Sequence, residues 1–218
     1  MIPRLVVASK NPDKISEIEA ILDESNLTHE VVRGLDWPDV EETGQTLEEN
    51  ALLKAHAVVA ATGLPVIADD TGLEVHALDG APGVHTARFA GDGARYEDNV
   101  AKLVEVMAGE EDRRATFRTV VALVFPDGAE VMAEGRLDGV IGREPRGTDG
   151  FGYDPVFVVD GERTLAELGI EEKNQVSHRA RAIRALSGTK PSRRDCSMFR
   201  NTVSTSGHGR GRGAGPPR

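Results

Sequence analysis

The chain has one cysteine, Cys196, so neither an internal disulfide nor a cysteine-based zinc site can form. With no disulfide to keep oxidised, a reducing compartment is the natural setting, and a cytoplasmic protein is expected. Aromatic residues are scarce at 4%, which leaves the core to Val, Ala, Leu and Ile. Long apolar runs are missing too. The least polar stretch, 57–68, carries Thr62, Gly63 and Pro65 and is too short to cross a bilayer. The apolar start, 1–8, is too short for a signal peptide. Cations are in deficit: 26 Lys and Arg face 36 Asp and Glu, for a net charge of −10. That deficit sits in residues 1–188, because 189–218 hold seven Lys or Arg against the single acid Asp195. Such an acidic body argues against broad binding to nucleic-acid backbone.

What is present suits one large globular unit. The 218 residues are 39% hydrophobic and 28% charged, enough to bury a real core. Residues 1–188 form the expected domain. Residues 189–218, rich in Gly, Ser and Arg, lack core residues and are expected to be disordered.

Strand and helix signals mix along the domain. Residues 4–8 read as a buried strand, and 30–33 as a second. Between them Asn11-Pro12 supplies a favoured N-cap and first helical position, and Ile15, Ile18, Ile21 and Leu22 follow at helical spacing. Thr46-Leu47-Glu48-Glu49 is a capping box for a helix that Gly63 and Pro65 end. Residues 65–69 read as a strand running into Asp69-Asp70-Thr71-Gly72, whose composition is that of a turn. A helix is expected over 96–108. Strands over 116–125 and 130–141 are joined by the hairpin signal Pro126-Asp127-Gly128. A glycine-rich loop, 147–154, precedes a strand over 156–159. Ser177 caps a last helix that Gly188 ends. The class is α/β.

Four segments could carry chemistry. In Ser9-Lys10-Asn11-Pro12-Asp13-Lys14 a strand turns into a helix start, where free N–H groups and the helix dipole favour a phosphate. The glycines of a Walker loop are absent. Glu41, Glu42, Asp69 and Asp70 supply hard oxygens suited to Mg²⁺. Unless the chain turns between them, Asp69 and Asp70 point to opposite faces of a strand and take different parts. In Gly150-Phe151-Gly152-Tyr153-Asp154-Pro155 the glycines permit close backbone approach, and Phe151 or Tyr153 could stack on a base. Lys173 with His178 and Arg179, at the start of the last helix, gathers donors for a carbonyl-rich base edge. Cradle, acids, stacking loop and donors are the complementary parts of a nucleotide site.

These motifs together resemble the Ham1-like family of inosine/xanthosine triphosphate pyrophosphatases. The resemblance spans residues 5–187. It runs through Ser9–Lys14, Glu41-Glu42-Thr43-Gly44, Glu49-Asn50-Ala51 with Lys54, Ala68-Asp69-Asp70-Thr71-Gly72-Leu73 and Gly80-Ala81-Pro82-Gly83-Val84. It continues through Ala87-Arg88, Gly150–Pro155, Glu172-Lys173-Asn174 and Ser177-His178-Arg179.

The resemblance implies a two-lobed fold, with a long central mixed sheet flanked by helices and a nucleotide cleft between the lobes. It also implies a homodimer and Mg²⁺-dependent cleavage of ITP, dITP or XTP to monophosphate and pyrophosphate. By the same likeness Ser9, Lys10, Asn11, Pro12, Asp13, Lys14 and Lys54 hold phosphates, and Thr71 contacts substrate. Glu41 and Asp70 hold the metal, with Asp69 as a further candidate, and Asp70 is the base. Phe151, Gly152, Tyr153, Asp154, Lys173, His178 and Arg179 shape the base and sugar pocket. Ser9 and Thr71 exchange one hydroxyl residue for another relative to many members. Asp149 stands where glycine is usual and His85 where an aromatic is frequent. A Maf-like nucleotide pyrophosphatase and a non-catalytic nucleotide sensor are the alternatives. Asn11 and Lys14 fit the first poorly, and retention of Asp69, Asp70, Glu41 and Lys14 argues against the second.

Overall fold

A computed structural model describes residues 1–186 and the pair 192–193. Eight strands form one mixed sheet: β1 (Leu5–Val7), β2 (Val31–Val32), β3 (Val66–Val75), β4 (Pro82–Gly83), β5 (Arg114–Val124), β6 (Ala129–Ile141), β7 (Phe157–Val158) and β8 (Ser192–Arg193). Their order is β2-β1-β3-β5-β6-β7, with β4 beside β3 and β8 beside β6. The β1 pairings with β2 and β3 are parallel, and all the others are antiparallel. Five α-helices pack around this sheet: α1 (Pro12–Ser25), α2 (Leu47–Thr62), α3 (Tyr96–Val106), α4 (Ile170–Val176) and α5 (His178–Leu186). The expected two-lobed α/β architecture is what the chain adopts. No helix among the described residues is long and apolar enough to cross a membrane.

Period-two alternation sorts the strand residues onto the two faces of the sheet. Leu5, Val7, Ile67, Val121 and Leu123 join Ile18, Ile21 and Leu22 of α1 and Ala182, Ile183 and Leu186 of α5 in one cluster. Val6, Val66, Ala68, Val120, Ala122 and Val124 face the other way, onto Leu47, Ala51, Ala55 and Val58 of α2. A third cluster builds the second lobe. There Leu73, Val75 and Phe117 meet Val100 and Leu103 of α3, with Tyr153, Val156 and Phe157.

Helix ends follow local chemistry. Asn11 caps α1 by accepting from the N–H groups of Asp13 and Lys14, and Thr46 caps α2 by accepting from Glu49. Gly63, at φ 67°, ends α2 in the left-handed conformation and returns its N–H to Val59. The β5–β6 hairpin turns as expected, with Gly128 at φ 83°.

Two expectations need correction. Asp69-Asp70-Thr71-Gly72 is not a strand end leading into a turn. β3 runs through it for ten residues, because β5 pairs with every one of them. Long cross-strand pairing overrides the weak strand preference of Asp and Gly. Lys173 lies on α4, a short helix without a clear apolar period, which the sequence reading passed over. The expected helix stop at Gly188 lies outside the described residues. So does the tail, apart from Ser192–Arg193, which pair with Glu130 and Ala129 of β6.

Candidate active site

The cleft exists because β1 is short. β1 pairs with β3 only as far as Val7 opposite Ile67, and β4 joins β3 only at Leu73 and Glu74. Between these contacts the edge of β3 carries Asp69, Asp70 and Thr71 into a cleft of about 450 Å³. That volume suits a small-molecule ligand. Of the residues singled out from sequence, all but Pro12, Asp13 and Glu41 line it.

Asp69 shares the face of Ile67 and so meets α1 and α5. Its Oδ2 lies 3.3 Å from Lys14 Nζ and 3.1 Å from Arg179 Nη2, and it accepts from the Thr71 hydroxyl at 3.2 Å. Arg179 is 2% exposed and also donates to Glu17 Oε2 at 2.5 Å and to Thr71 at 3.2 Å. Burial alone would raise the Asp69 pKa, but Lys14, Arg179 and Lys54 together hold it well below the usual carboxylate range. Asp69 is a permanent anion committed to structure, and Arg179 has all three nitrogens engaged.

Asp70 points the other way, to α2. Lys54 Nζ donates to its Oδ1 at 3.1 Å, and Asn50 Nδ2 to its Oδ2 at 3.2 Å. Asn50 is itself fixed, because its Oδ1 accepts from the Gly44 N–H at 2.8 Å. Burial raises the Asp70 pKa and outweighs the pull of Lys54 and Lys14. Lys54 keeps its proton: burial works against the charge, but Asp70, Asp69 and Glu42 together raise its pKa. Glu42 Oε1 sits 2.8 Å from the same ammonium. Glu42, rather than Glu41, therefore lines the cleft, and Glu41 is exposed beside it.

The segment expected from sequence to cradle phosphate is the start of α1. The Asn11 N–H donates to Ser9 Oγ at 3.2 Å, Pro12 takes the first helical position, and Lys14 leans back to Asp69. Lys10 reaches across to Asp39 at 2.5 Å.

The far end of the cleft is built on Phe151. Lys173 Nζ lies 4.9 Å from its ring centre and the Arg179 guanidinium carbon 5.7 Å. Lys173 bonds Asp154 Oδ2 at 2.6 Å, and the same oxygen accepts from the Phe151 N–H at 2.8 Å. Gly150 adopts φ 76°, and a Cβ there would fall 2.2 Å from Asp154 Oδ2, so only glycine closes this turn. Burial raises the Asp154 pKa against the pull of Lys173. Tyr153 is 3% exposed and donates to the Thr86 carbonyl, so it anchors the loop while Phe151 keeps the more open ring. His178 stacks on Phe117 at 4.6 Å with planes 15° apart, and burial beside Arg179 and Lys173 keeps it neutral.

Sequence reasoning missed Glu17, Asn50, Trp37 and Tyr96 as site residues. Glu17 carried a signal, since it is a carboxylate on the inner stripe of α1 next to Ile18. Nothing local marks Tyr96, which comes to the cleft only through tertiary packing.

Among the described residues, no group of three or more His, Cys, Asp or Glu side chains could hold a metal. Mg²⁺ needs no such cage, because it binds through one or two carboxylates together with water and substrate phosphates. The hard oxygens of Asp70 and of the Glu41-Glu42 loop fit that requirement.

A mixed-sheet α/β enzyme whose cleft sets lysines at one end, a carboxylate of raised pKa along a strand edge and an aromatic wall at the other end is the class that this fold and cleft define. The chain belongs to the Ham1 family, whose model matches residues 5–189. A dITP/XTP pyrophosphatase of Streptomyces coelicolor is 50% identical over 193 residues, covering 84% of this chain and 94% of its own length. One from Geobacter sulfurreducens is 50% identical over 187 residues, with the same two coverages. Among solved structures, the Ham1 protein of Staphylococcus aureus superposes with a TM-score of 0.73 at 42% identity, covering 85% of this chain and 96% of that one. A nucleoside-triphosphatase / dITP/XTP pyrophosphatase from Mycobacterium abscessus gives 0.66 at 45% identity, covering 84% and 97%.

Proposed function

We propose that this chain hydrolyses the non-standard purine nucleoside triphosphates ITP, dITP and XTP between the α- and β-phosphates, giving the monophosphate and pyrophosphate. The observation that carries this reading is Asp70. It is a carboxylate of raised pKa, aimed into the cleft by strand alternation and held at both oxygens by Asn50 and Lys54. A raised pKa suits a group that must accept a proton near neutral pH. Asp70 takes the proton of the attacking water. Lys14, Lys54 and the positive dipole end of α1 hold the triphosphate and offset its charge, the first N–H groups of the helix being taken by the Asn11 cap. Asp70, with Glu41 or Glu42 from the adjoining loop, would hold Mg²⁺. When bound, that ion would supply positive charge against the phosphates and make a water more acidic.

The base lies against Phe151. Its 6-oxo group accepts from donors at that end of the cleft, Lys173 and the single N–H of neutral His178. Adenine presents an amino donor there instead. A buried donor left without a partner costs about 1–3 kcal/mol, so ATP is turned over less well. The names of the relatives, dITP/XTP pyrophosphatases, support dITP and XTP among these substrates. We extend the reading to a homodimer in solution, which analytical ultracentrifugation tests.

The deciding experiment measures pyrophosphate release from ITP, XTP, dITP, GTP and ATP, with and without Mg²⁺. Fast release from ITP and XTP that requires the metal is expected. Equal turnover of ATP and ITP overturns the base argument, and no release from any of the five overturns the function.

A further inference from the structure

Tyr96 opens α3, on the side of the cleft opposite α1, yet its side chain crosses to the phosphate cradle. Its hydroxyl accepts a hydrogen bond from Asn11 Nδ2 at 2.7 Å and donates to Asp13 Oδ2 at 3.3 Å. Its ring centre lies 5.9 Å from that of Phe151, with planes 38° apart. One side chain thus touches both the cradle and the base shelf.

The two ends of this bridge belong to different cores. The apolar face of α1 packs with α5, through Ile18, Ile21 and Ile183. That of α3 packs with Phe117, Tyr153 and Phe157. β3 and β5 run through both cores and set the gross separation of the lobes, and Lys173 meets Glu17 of α1 deep in the cleft; at the mouth, the Tyr96 hydroxyl adds a direct link from α3 to α1.

The directions of the bonds are forced. A carboxylate only accepts, so the hydroxyl proton of Tyr96 goes to Asp13 and a lone pair is left for Asn11 Nδ2. The Asn11 Oδ1 must then face the helix start, where it accepts from the N–H groups of Asp13 and Lys14. Tyr96 therefore selects the rotamer of the Asn11 amide that keeps the cradle formed. Burial raises its pKa, so the proton stays on the oxygen at neutral pH.

We propose that Tyr96 is a positioning residue that couples the phosphate end and the base end of the cleft, by locking the Asn11 amide while bracing the Phe151 ring. The inference rests on the nucleoside triphosphate reading above. A ligand that spans both ends gains from the fixed separation, and a ligand that fills one end does not.

The test compares the wild-type chain with Tyr96→Phe, which keeps the ring, and Tyr96→Leu, which removes it. KM and kcat for ITP are read by pyrophosphate release. Affinities for the half-ligands inosine and inorganic tripolyphosphate are read by calorimetry, and folding by thermal melting. Losing the hydroxyl contacts should raise KM for ITP about 3- to 10-fold. For Tyr96→Phe the kcat and the melting temperature should stay near wild type and each half-ligand affinity should fall by less than KM for ITP rises, and Tyr96→Leu should raise KM further. An unchanged KM in both variants overturns the coupling. So does a matching loss of inosine or tripolyphosphate affinity, which would mean local damage at one end. A wild-type chain that releases no pyrophosphate from ITP instead defeats the substrate reading, before any variant is compared.

Discussion

Asp69 and Asp70 are adjacent and chemically identical, yet β3 gives them opposite work. The odd-numbered face meets Lys14 and Arg179, so Asp69 stays ionised and structural. The even-numbered face meets Asn50 and Lys54, where burial raises the Asp70 pKa, which suits the proton acceptor proposed above. Asp70→Asn should lose at least ~100-fold in turnover, measured by pyrophosphate release. Because burial disfavours its charged form, the same substitution should not lower the melting temperature near neutral pH. His178 supplies a second test. Its folded pKa lies well below the unfolded value of about 6.5, so between the two values the unfolded chain binds a proton that the folded chain does not. Stability is therefore lost as pH falls below about 6.5. The melting-temperature advantage of wild type over His178→Gln should shrink as pH is lowered from about 7 to about 5. At this scale the sequence named Asp70 and the split between the two aspartates. It offered Glu41 and Glu42 together, and only the folded chain shows that Glu42 lines the cleft, because a loop between β2 and α2 has no periodicity from which to read direction.

At the scale of elements, α1, α2 and the β5–β6 hairpin were legible because each carries its own punctuation. Asn11-Pro12, the Thr46 capping box with Gly63, and Gly128 are local rules that the folded chain obeys. The length of β3 and the existence of α4 were not legible. The first depends on a partner strand and the second on packing under the base shelf. The docking of α5 on the sheet was invisible as well, and it depends on Gly135. A Cβ at that position on β6 would come within 2.0 Å of the His178 carbonyl oxygen and 2.5 Å of the Ala182 nitrogen. Both are backbone atoms that cannot swing aside. Gly135→Ala should therefore destabilise the chain by about 1–3 kcal/mol in urea denaturation, and should shift His178 enough to raise KM for ITP.

At the scale of the whole molecule, one buried ionic network ties α1, β3, α4 and α5 together. Lys14, Lys173 and Arg179 meet Glu17, Asp69 and Asp154, three cations against three carboxylates. Removing one partner leaves uncompensated charge inside the protein. Arg179→Met leaves two cations against three buried carboxylates and should cost about 3–5 kcal/mol, seen as a fall in Tm on the order of 10 °C. If Tm held, the network would be decoration rather than a structural joint. The sequence by itself determined the α/β class, the capped helices, the acidic body and the four segments from which the cleft is built. All of these follow from local pattern and composition, which act over a few residues. Only the tertiary structure decided that β1 stops short and leaves the edge of β3 open at Asp69, Asp70 and Thr71. It alone decided that Arg179 is spent on Glu17 and Asp69, and that Tyr96 reaches Asn11 from the opposite lobe. Such choices depend on which distant groups meet out of water, where a buried charge must find its partner and an unpaired strand edge must find a use.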